Sequence, residues 1–289
     1  MPAAALGLVG AGAVLHAVWN LVAKGNRGGV VFFWLAALAT AVAYAPAFAL
    51  RVTSHPIAPE GWPWIAGSAA VHGAYLWSLH AAYRRADLSV AYPIARGTGP
   101  AIVFIVSLAA LREPLSVLGI LGIVTVVGGV YAVGFASRTA SSWQRRAAAL
   151  IHADGRYALL TGLCVAGYTL VDREGVRRVD PMVFGYLSIV LGGLLLTPLV
   201  LRQGGTRPWR QSGARTWRVA VVGVLMAGAY FMVLFAFRLA PTAYVAAARE
   251  LSTVLGAALG MTVLGEPAGV ARVAAAAAIA AGVGLIALA

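Results

Sequence analysis

Residues 86–134 read ADLSVAYPIARGTGPAIVFIVSLAALREPLSVLGILGIVTVVGGVYAVG, and residues 239–287 read LAPTAYVAAARELSTVLGAALGMTVLGEPAGVARVAAAAAIAAGVGLIA. The second aligns on the first without a gap at an offset of 153 positions. The coincidences include Ala95/Ala248, Arg96/Arg249, Glu113/Glu266, Pro114/Pro267 and Gly129/Gly282. Apolar matches carry little weight in so apolar a chain. Charged residues make up only 11% of it, so an arginine and a Glu-Pro pair in one register carry more. Each stretch reads as an apolar helix with an Arg near its start, a turn containing Glu-Pro, and a helix rich in small residues. The chain is one structural unit used twice, with an arginine at the same place in each copy.

The composition fixes the class. Of 289 residues, 61% are hydrophobic, and the mean hydropathy is +0.85. Soluble domains carry about 45–50% apolar and about 25% charged residues, so this is a multispanning membrane protein. The net charge of +13 and pI near 10.8 would suit nucleic acid only with a folded basic domain, for which there is no room. Most Lys and Arg instead occupy short gaps between apolar runs, where the positive-inside bias collects them. No nucleic-acid partner is expected. Trp62, Trp64, Tyr83 and Trp217 near run ends suit interfacial belts. The single Cys164 lies within an apolar run, which excludes a disulfide framework and a cysteine-based metal site. The first apolar run lacks a charged n-region and reads as a working helix, not a cleaved signal.

A hydrocarbon core about 30 Å thick needs about 20 apolar residues per helix. Ten runs meet or approach that length: 3–23, 30–50, 62–83, 89–111, 117–135, 157–174, 181–201, 217–238, 242–264 and 270–289. The expected fold is all-α, with ten transmembrane helices in two five-helix repeats, 1–135 and 157–289. They are joined by a polar connecting loop, 136–156. Five is odd, so the second repeat enters the membrane from the opposite side. Inverted repeats of this kind build secondary transporters, whose sites lie near the midplane between the repeats. Residues 19–24 also fall on 168–173 at an offset of 149, a weaker echo between helices 1 and 6. An even helix count puts both termini on one side. The Lys/Arg count, taken literally, turns that side away from the cytoplasm.

Arg96 and Arg249 each lie seven residues into their helices, about 10 Å deep at 1.5 Å per residue. A central Arg costs roughly 2.5–3.5 kcal/mol on insertion scales and usually faces a cavity, a partner or a pathway. Converging from opposite faces, the two are candidates to clamp an anion with their guanidinium forks. A snorkelling arginine, or a structural pair of Arg249 with Glu250 or Asp172, is the plainer alternative. The segment around Arg96 runs from Tyr92, counted with the binding set, to Pro100. Pro100 clashes with the carbonyl of Arg96, so a kink or break is expected there and not in the proline-free helix 9.

Glu250 is an acid deep within a run, a candidate to carry a proton or hold an ammonium. About 100° from Arg249 on a helix, it need not pair with it. Asp172 and Glu174 read as a solvated helix end, with the cavity as the alternative for Asp172. His16, Trp19 and Asn20 fall within about one turn of helix 1, with His16 and Asn20 on one face. His72, Tyr75 and Trp77 form a similar group in helix 3. Cavity lining and interhelical hydrogen bonding are both open to these groups. Tyr168, Tyr230 and Tyr244 are candidate aromatic walls, with belt or packing roles as the default. No His/Asp/Glu set has a metal's spacing. The stripes Ser252/Gly256/Gly260 and Gly119/Gly122/Thr125/Gly128 read as packing surfaces, and Glu113 and Glu266 as loop caps.

The segments LHAVWNLVAKG (15–25), YPIARGTGP (92–100), LREPLSVLGILGIVTVVGGV (111–130) and ARELSTVLGAALGMTVLGEP (248–267) resemble the drug/metabolite transporter superfamily, EamA type. The resemblance spans nearly the whole chain. Its most specific parts are the duplicated Glu-Pro turn and the Gly-rich helix that follows. It implies a ten-helix inverted-repeat carrier, usually exporting amino acids, other metabolites or drugs. It also implies cytoplasmic termini, against the charge count. The family's turn is often Gly-Glu-Arg, where this chain has Arg-Glu-Pro and Gly-Glu-Pro; the departure touches the turn and not the site.

The expected function is therefore secondary transport, in the export direction, of small metabolites such as amino acids, other organic anions or zwitterions, or drugs, by alternating access around a midplane site. The protein would be multi-pass in the plasma or inner membrane, with the bilayer and a small solute as partners and a proton as candidate coupling ion. No cofactor or metal is expected, and the absence of a Walker motif leaves ATP drive unsupported. The rivals are a lipid-modifying membrane enzyme, which would need clustered acids or histidines at an interface, and a channel.

Overall fold

The computed structural model describes residues 1–23, 29–85, 88–135, 153–207, 216–265 and 269–289. Ten helices and no strand occur among them. They are α1 (Ala3–Ala23), α2 (Gly29–Ser54), α3 (Trp62–Arg85), α4 (Leu88–Ala109), α5 (Val117–Phe135) and α6 (Ala153–Val176). They continue with α7 (Pro181–Leu194 and Thr197–Arg202), α8 (Thr216–Ala236), α9 (Thr242–Ala248 and Leu251–Leu264) and α10 (Val270–Leu288). Each matches one of the ten apolar runs. The side chain of Tyr92, most of the loop 136–156, and Glu266 with Pro267 lie outside the described residues.

Five helices are long and apolar enough to cross a membrane on those grounds alone: α1, α2, α7, α8 and α10. Among the others, α3 carries His72 and His80 and α6 carries Asp172 and Arg173, while α9 is divided into segments of 7 and 14 residues.

The breaks do not fall where proline alone predicts. Helix α7 stops at Leu194, whose carbonyl faces the ring of Pro198 four residues on, and resumes at Thr197. Helix α4, by contrast, runs unbroken past Pro100, which corrects the expectation of a break at Arg96. Its glycines serve close packing. A Cβ on Gly97 would lie 2.8 Å from the Tyr131 ring, and one on Gly99 2.5 Å from Val165 Cγ1. The break comes instead in α9, at Arg249 and Glu250. There Glu250, Ser252 and Thr253 donate their backbone N–H groups to carbonyls three residues back, at 3.0, 3.1 and 2.8 Å. Such a 3₁₀ step inside a helix often marks a functional hinge.

Helix ends are satisfied across the fold. Asp180 caps α7, its carboxylate accepting from Met182 and Val183 N–H at 3.0 and 3.3 Å. Arg238 donates to the carbonyls of Val176 and Val179 at 2.7 and 3.0 Å, closing the C-terminal end of α6. Glu113, in the first Glu-Pro turn, accepts from Thr242 N–H and hydroxyl at 3.0 and 2.7 Å and from Ala243 N–H at 3.3 Å. It caps α9 from across the molecule. The chain termini meet as well: the Met1 ammonium donates to Ile286 and Ala287 carbonyls, each at 3.2 Å, so both ends lie on one side.

Helix α5 packs along α10, α1 along α8, and α3 along α6; α4 also lies on α6, and α9 on α1. The α5–α10 crossing is backbone against backbone. A Cβ on Gly122 would sit 2.7 Å from the Gly282 carbonyl oxygen, and one on Gly282 2.7 Å from that of Gly122. Small residues at such a crossing let the helices touch. Gly128 and Gly256 of the small-residue stripes have nothing within 4 Å, so the stripes are only partly packing surfaces; Gly284, outside them, is equally open. Replacing Gly122 or Gly282 by Ala is expected to destabilise the protein by about 1–3 kcal/mol, the usual cost of overpacking. Gly284→Ala is expected to be neutral. Thermal unfolding in detergent separates the two outcomes.

Candidate functional site

The 3₁₀ step in α9 brings two adjacent charges toward α4 and α6. Arg96 of α4 places its guanidinium 3.1 Å from Glu250 Oε2. It also donates to Ser252 Oγ at 3.0 Å and to Thr253 Oγ1 at 3.4 Å. Thr253 in turn donates to Glu250 Oε2 at 3.1 Å. Arg249 Nε stands 4.0 Å from Glu250 Oε1, beyond hydrogen-bond reach, so the carboxylate holds Arg96 closely and Arg249 at the limit of an ion pair.

Arg249 continues into α6. It donates to the Tyr168 hydroxyl at 3.5 Å and lies over that ring, 5.7 Å from its centroid. On the ring's other contacts, His72 of α3 stacks at 4.4 Å with planes 24° apart, and Tyr75 meets it edge-on at 5.7 Å. Tyr230 of α8 makes an edge contact with His72 at 5.2 Å. Asp172, one turn beyond Tyr168, accepts from the Ser68 hydroxyl at 2.6 Å and the Tyr230 hydroxyl at 2.7 Å. It is fully buried, which corrects its reading as a solvated helix end. Glu174 keeps that reading. It pairs with Arg173, Arg177 and Arg178 at the end of α6.

His16 of α1 stands within electrostatic range of both Arg96 and Arg249. Six helices (α1, α3, α4, α6, α8 and α9) thus bring together Arg96, Arg249, Glu250, His16, His72, Tyr75, Tyr168 and Tyr230. Trp19 touches the edge of this group through His16, ring to ring at 4.9 Å, while its body packs on the cluster of Phe32 and Val219.

Three expected site residues lie elsewhere. Asn20 is exposed and donates to its own helix, to the His16 carbonyl at 2.7 Å. Trp77 is exposed and lines an apolar groove of about 260 Å³ between α3 and α7, with Gly73 and Leu199. Tyr244 points at the α4–α5 turn, where its hydroxyl accepts from Ser116 N–H at 2.8 Å. Each is an apolar-helix residue whose side was not readable without its neighbours.

Sequence reasoning passed over Ser68, Ser252 and Thr253. Ser252 had been assigned to a packing stripe, yet it binds Arg96. A hydroxyl within a turn or so of a buried charge is the signal that would have found both Ser252 and Thr253.

The comparisons join this geometry to known proteins. Residues 156–288 match the EamA-like transporter family. Over those residues the chain is similar to that family, which is part of the drug/metabolite transporter superfamily. That family is one of small-solute transporters and not of enzymes. No curated protein matches. A solved structure titled only "Crystal structure of protein" superposes with a TM-score of 0.79, over 100% of this chain and 98% of that one, at 15% identity. At that identity the likeness speaks for the fold alone. The EamA-like half holds Tyr168, Asp172, Tyr230, Arg249 and Glu250, while His16, His72 and Arg96 come from the half before it.

Removing one member of a buried ion pair strands the other charge, at about 3–5 kcal/mol. Glu250→Ala is therefore expected to destabilise the protein strongly. The double replacement Arg96→Met/Glu250→Leu is expected to recover most of the loss. Unfolding of the two variants in detergent, compared with the parent, checks both.

Proposed function

We propose that this chain is a secondary carrier that exports small organic anions or zwitterions, such as amino acids, by alternating access around Arg96 and Arg249. The observation that carries the reading is an asymmetry of exposure. The arginine side chains are 19% and 15% exposed, whereas Glu250 is 1% and Asp172 0%. A solute reaching the cluster meets guanidinium first and carboxylate last. A fork with two parallel donors suits a substrate carboxylate, and Tyr75, Tyr168 and Tyr230 offer faces for the rest of the molecule. A helix interrupted at the site is the form that transporter binding sites take.

Inverted repeats are supported by the packing. Adding five to each helix number turns α1–α8 into α6–α3, α4–α6 into α9–α1, and α2–α8 into α7–α3; all six contacts occur. The α5–α10 crossing maps onto itself, and so do its details. At the offset of 153, Gly122 against Gly282 becomes Ala275 against Gly129, and a Cβ on Gly129 would lie 3.1 Å from the Ala275 carbonyl oxygen. The repeats proposed are 1–135 and 157–289, set in the plasma or inner membrane and rocking about the shared site, with a proton as coupling ion.

Arg249→Ala and the paired Arg96→Met/Glu250→Leu, purified and reconstituted in proteoliposomes, are expected to lose saturable flux of an amino-acid and organic-anion panel by at least about tenfold, one ordinary charge-assisted contact's worth. Flux unchanged in both variants would overturn the clamp. Non-saturable flux in the parent protein would favour a channel.

A further inference from the structure

The carrier reading leaves one buried assembly unused. Asp172 takes part in no ion pair within 4 Å among the described residues and instead receives two hydroxyl bonds, from Ser68 and Tyr230. Ser68 gives its only hydroxyl proton to Asp172 Oδ1. Its oxygen therefore faces His72 Nδ1, 3.2 Å away, as an acceptor. The same Nδ1 lies 2.9 Å from the Ser68 carbonyl oxygen, which can only accept. Nδ1 must carry a proton to serve either contact. The proton that His72 can gain or lose is then the one on Nε2, and Asp172 stands one hydroxyl away as the counter-charge.

We propose that His72, Ser68 and Asp172 form a proton-binding site, His72 Nε2 taking the proton and Asp172 balancing the imidazolium through Ser68. A proton gained there makes His72 cationic, and loss returns it to the neutral Nδ1–H form; no other bond changes. Glu250 is not this site, because it is already paired with Arg96 and accepts from Thr253.

The site is wired to the substrate cluster by contact. His72 stacks on Tyr168, and Tyr168 lies under the Arg249 guanidinium. The groups facing the pair are Tyr75 on α3, Tyr168 on α6, Tyr230 on α8 and Arg249 on α9. Helix α7 approaches His72 through Gly192. His16 on α1 and Arg96 on α4 complete the charged set beyond Arg249. An anion that neutralises Arg249 removes a repelling charge from His72 and favours the proton. By reciprocity the proton favours the anion. Proton and anion thus bind together. The use of the site rests on the carrier reading; its existence does not.

The test needs no substrate, because the probe is the proton. Protein labelled with ¹⁵N-histidine is reconstituted in lipid nanodiscs and followed by nuclear magnetic resonance through a pH titration, with His72→Gln assigning the signal. The expected result is a titrating Nε2 and an Nδ1 that stays protonated throughout. Asp172→Asn should weaken proton binding at His72 by about tenfold or more, and Arg249→Gln should strengthen it by about tenfold, the size of one charge at such range. Ser68→Ala, a milder change, should shift it in the same direction as Asp172→Asn. It serves if the Asp172 variant fails to fold. An Nε2–H tautomer, an imidazole that does not titrate, or a proton affinity blind to both Ser68 and Asp172 would overturn the proposal. A normal titration in a protein that carries no solute would sink the carrier reading and leave this site standing.

Discussion

Charges taken out of water must neutralise one another where they lie, and the Arg96–Glu250 pair is where this fold meets that demand. The effective penalty for burying an ion is several kcal/mol, and here several ions share one low-dielectric interior. They are arranged with alternating sign. Arg96 faces Glu250, Glu250 faces Arg249, and Arg249 lies within electrostatic range of Asp172. Each carboxylate also holds hydroxyl bonds, from Thr253 on one side and from Ser68 and Tyr230 on the other. Such a row fixes the helices that carry it. Helices α4, α9 and α6 can slide past one another only by exposing a charge.

The interruption of α9 falls at the same charges. Arg249 and Glu250 are the two residues between its segments, with Glu250 beside Arg96 while Arg249 reaches toward Tyr168. Proline is not needed for this, and the two prolines of α4 do not interrupt that helix. A local rule about residue types does not place such a break.

That contrast marks how far the sequence could be read. The helices were legible, because their lengths answer the bilayer and their polar gaps are short. The duplicated arginine was legible, because a charge in so apolar a chain stands out. The partner of each charge was not. Asp172 looks exposed in a row with Arg173, Glu174, Arg177 and Arg178; only the arrival of Ser68 from α3 and Tyr230 from α8 makes it a core residue. Tyr244 and Trp77 likewise resemble Tyr168 and Tyr75 in sequence and differ only in which neighbour their helix turns them toward. Glu113 was readable as a cap, but not that the helix it caps begins 129 residues later.

The two halves share a register and yet divide the chemistry unequally. Where α9 has Glu250, α4 has Gly97 at the offset of 153, and where α10 has Gly284, α5 has Tyr131. The exchange is steric: a side chain on Gly97 would collide with the Tyr131 ring, while Gly284 leaves open space. One half therefore gave up an acid for an aromatic, and its arginine has its carboxylate partner in the other half. On the carrier reading proposed above, a motion that parts α4 from α9 would separate Arg96 from Glu250, and an anion arriving at Arg96 would supply the charge that Glu250 withdraws. In a rocking pair of repeats the substrate would then be the condition for opening, not merely the passenger.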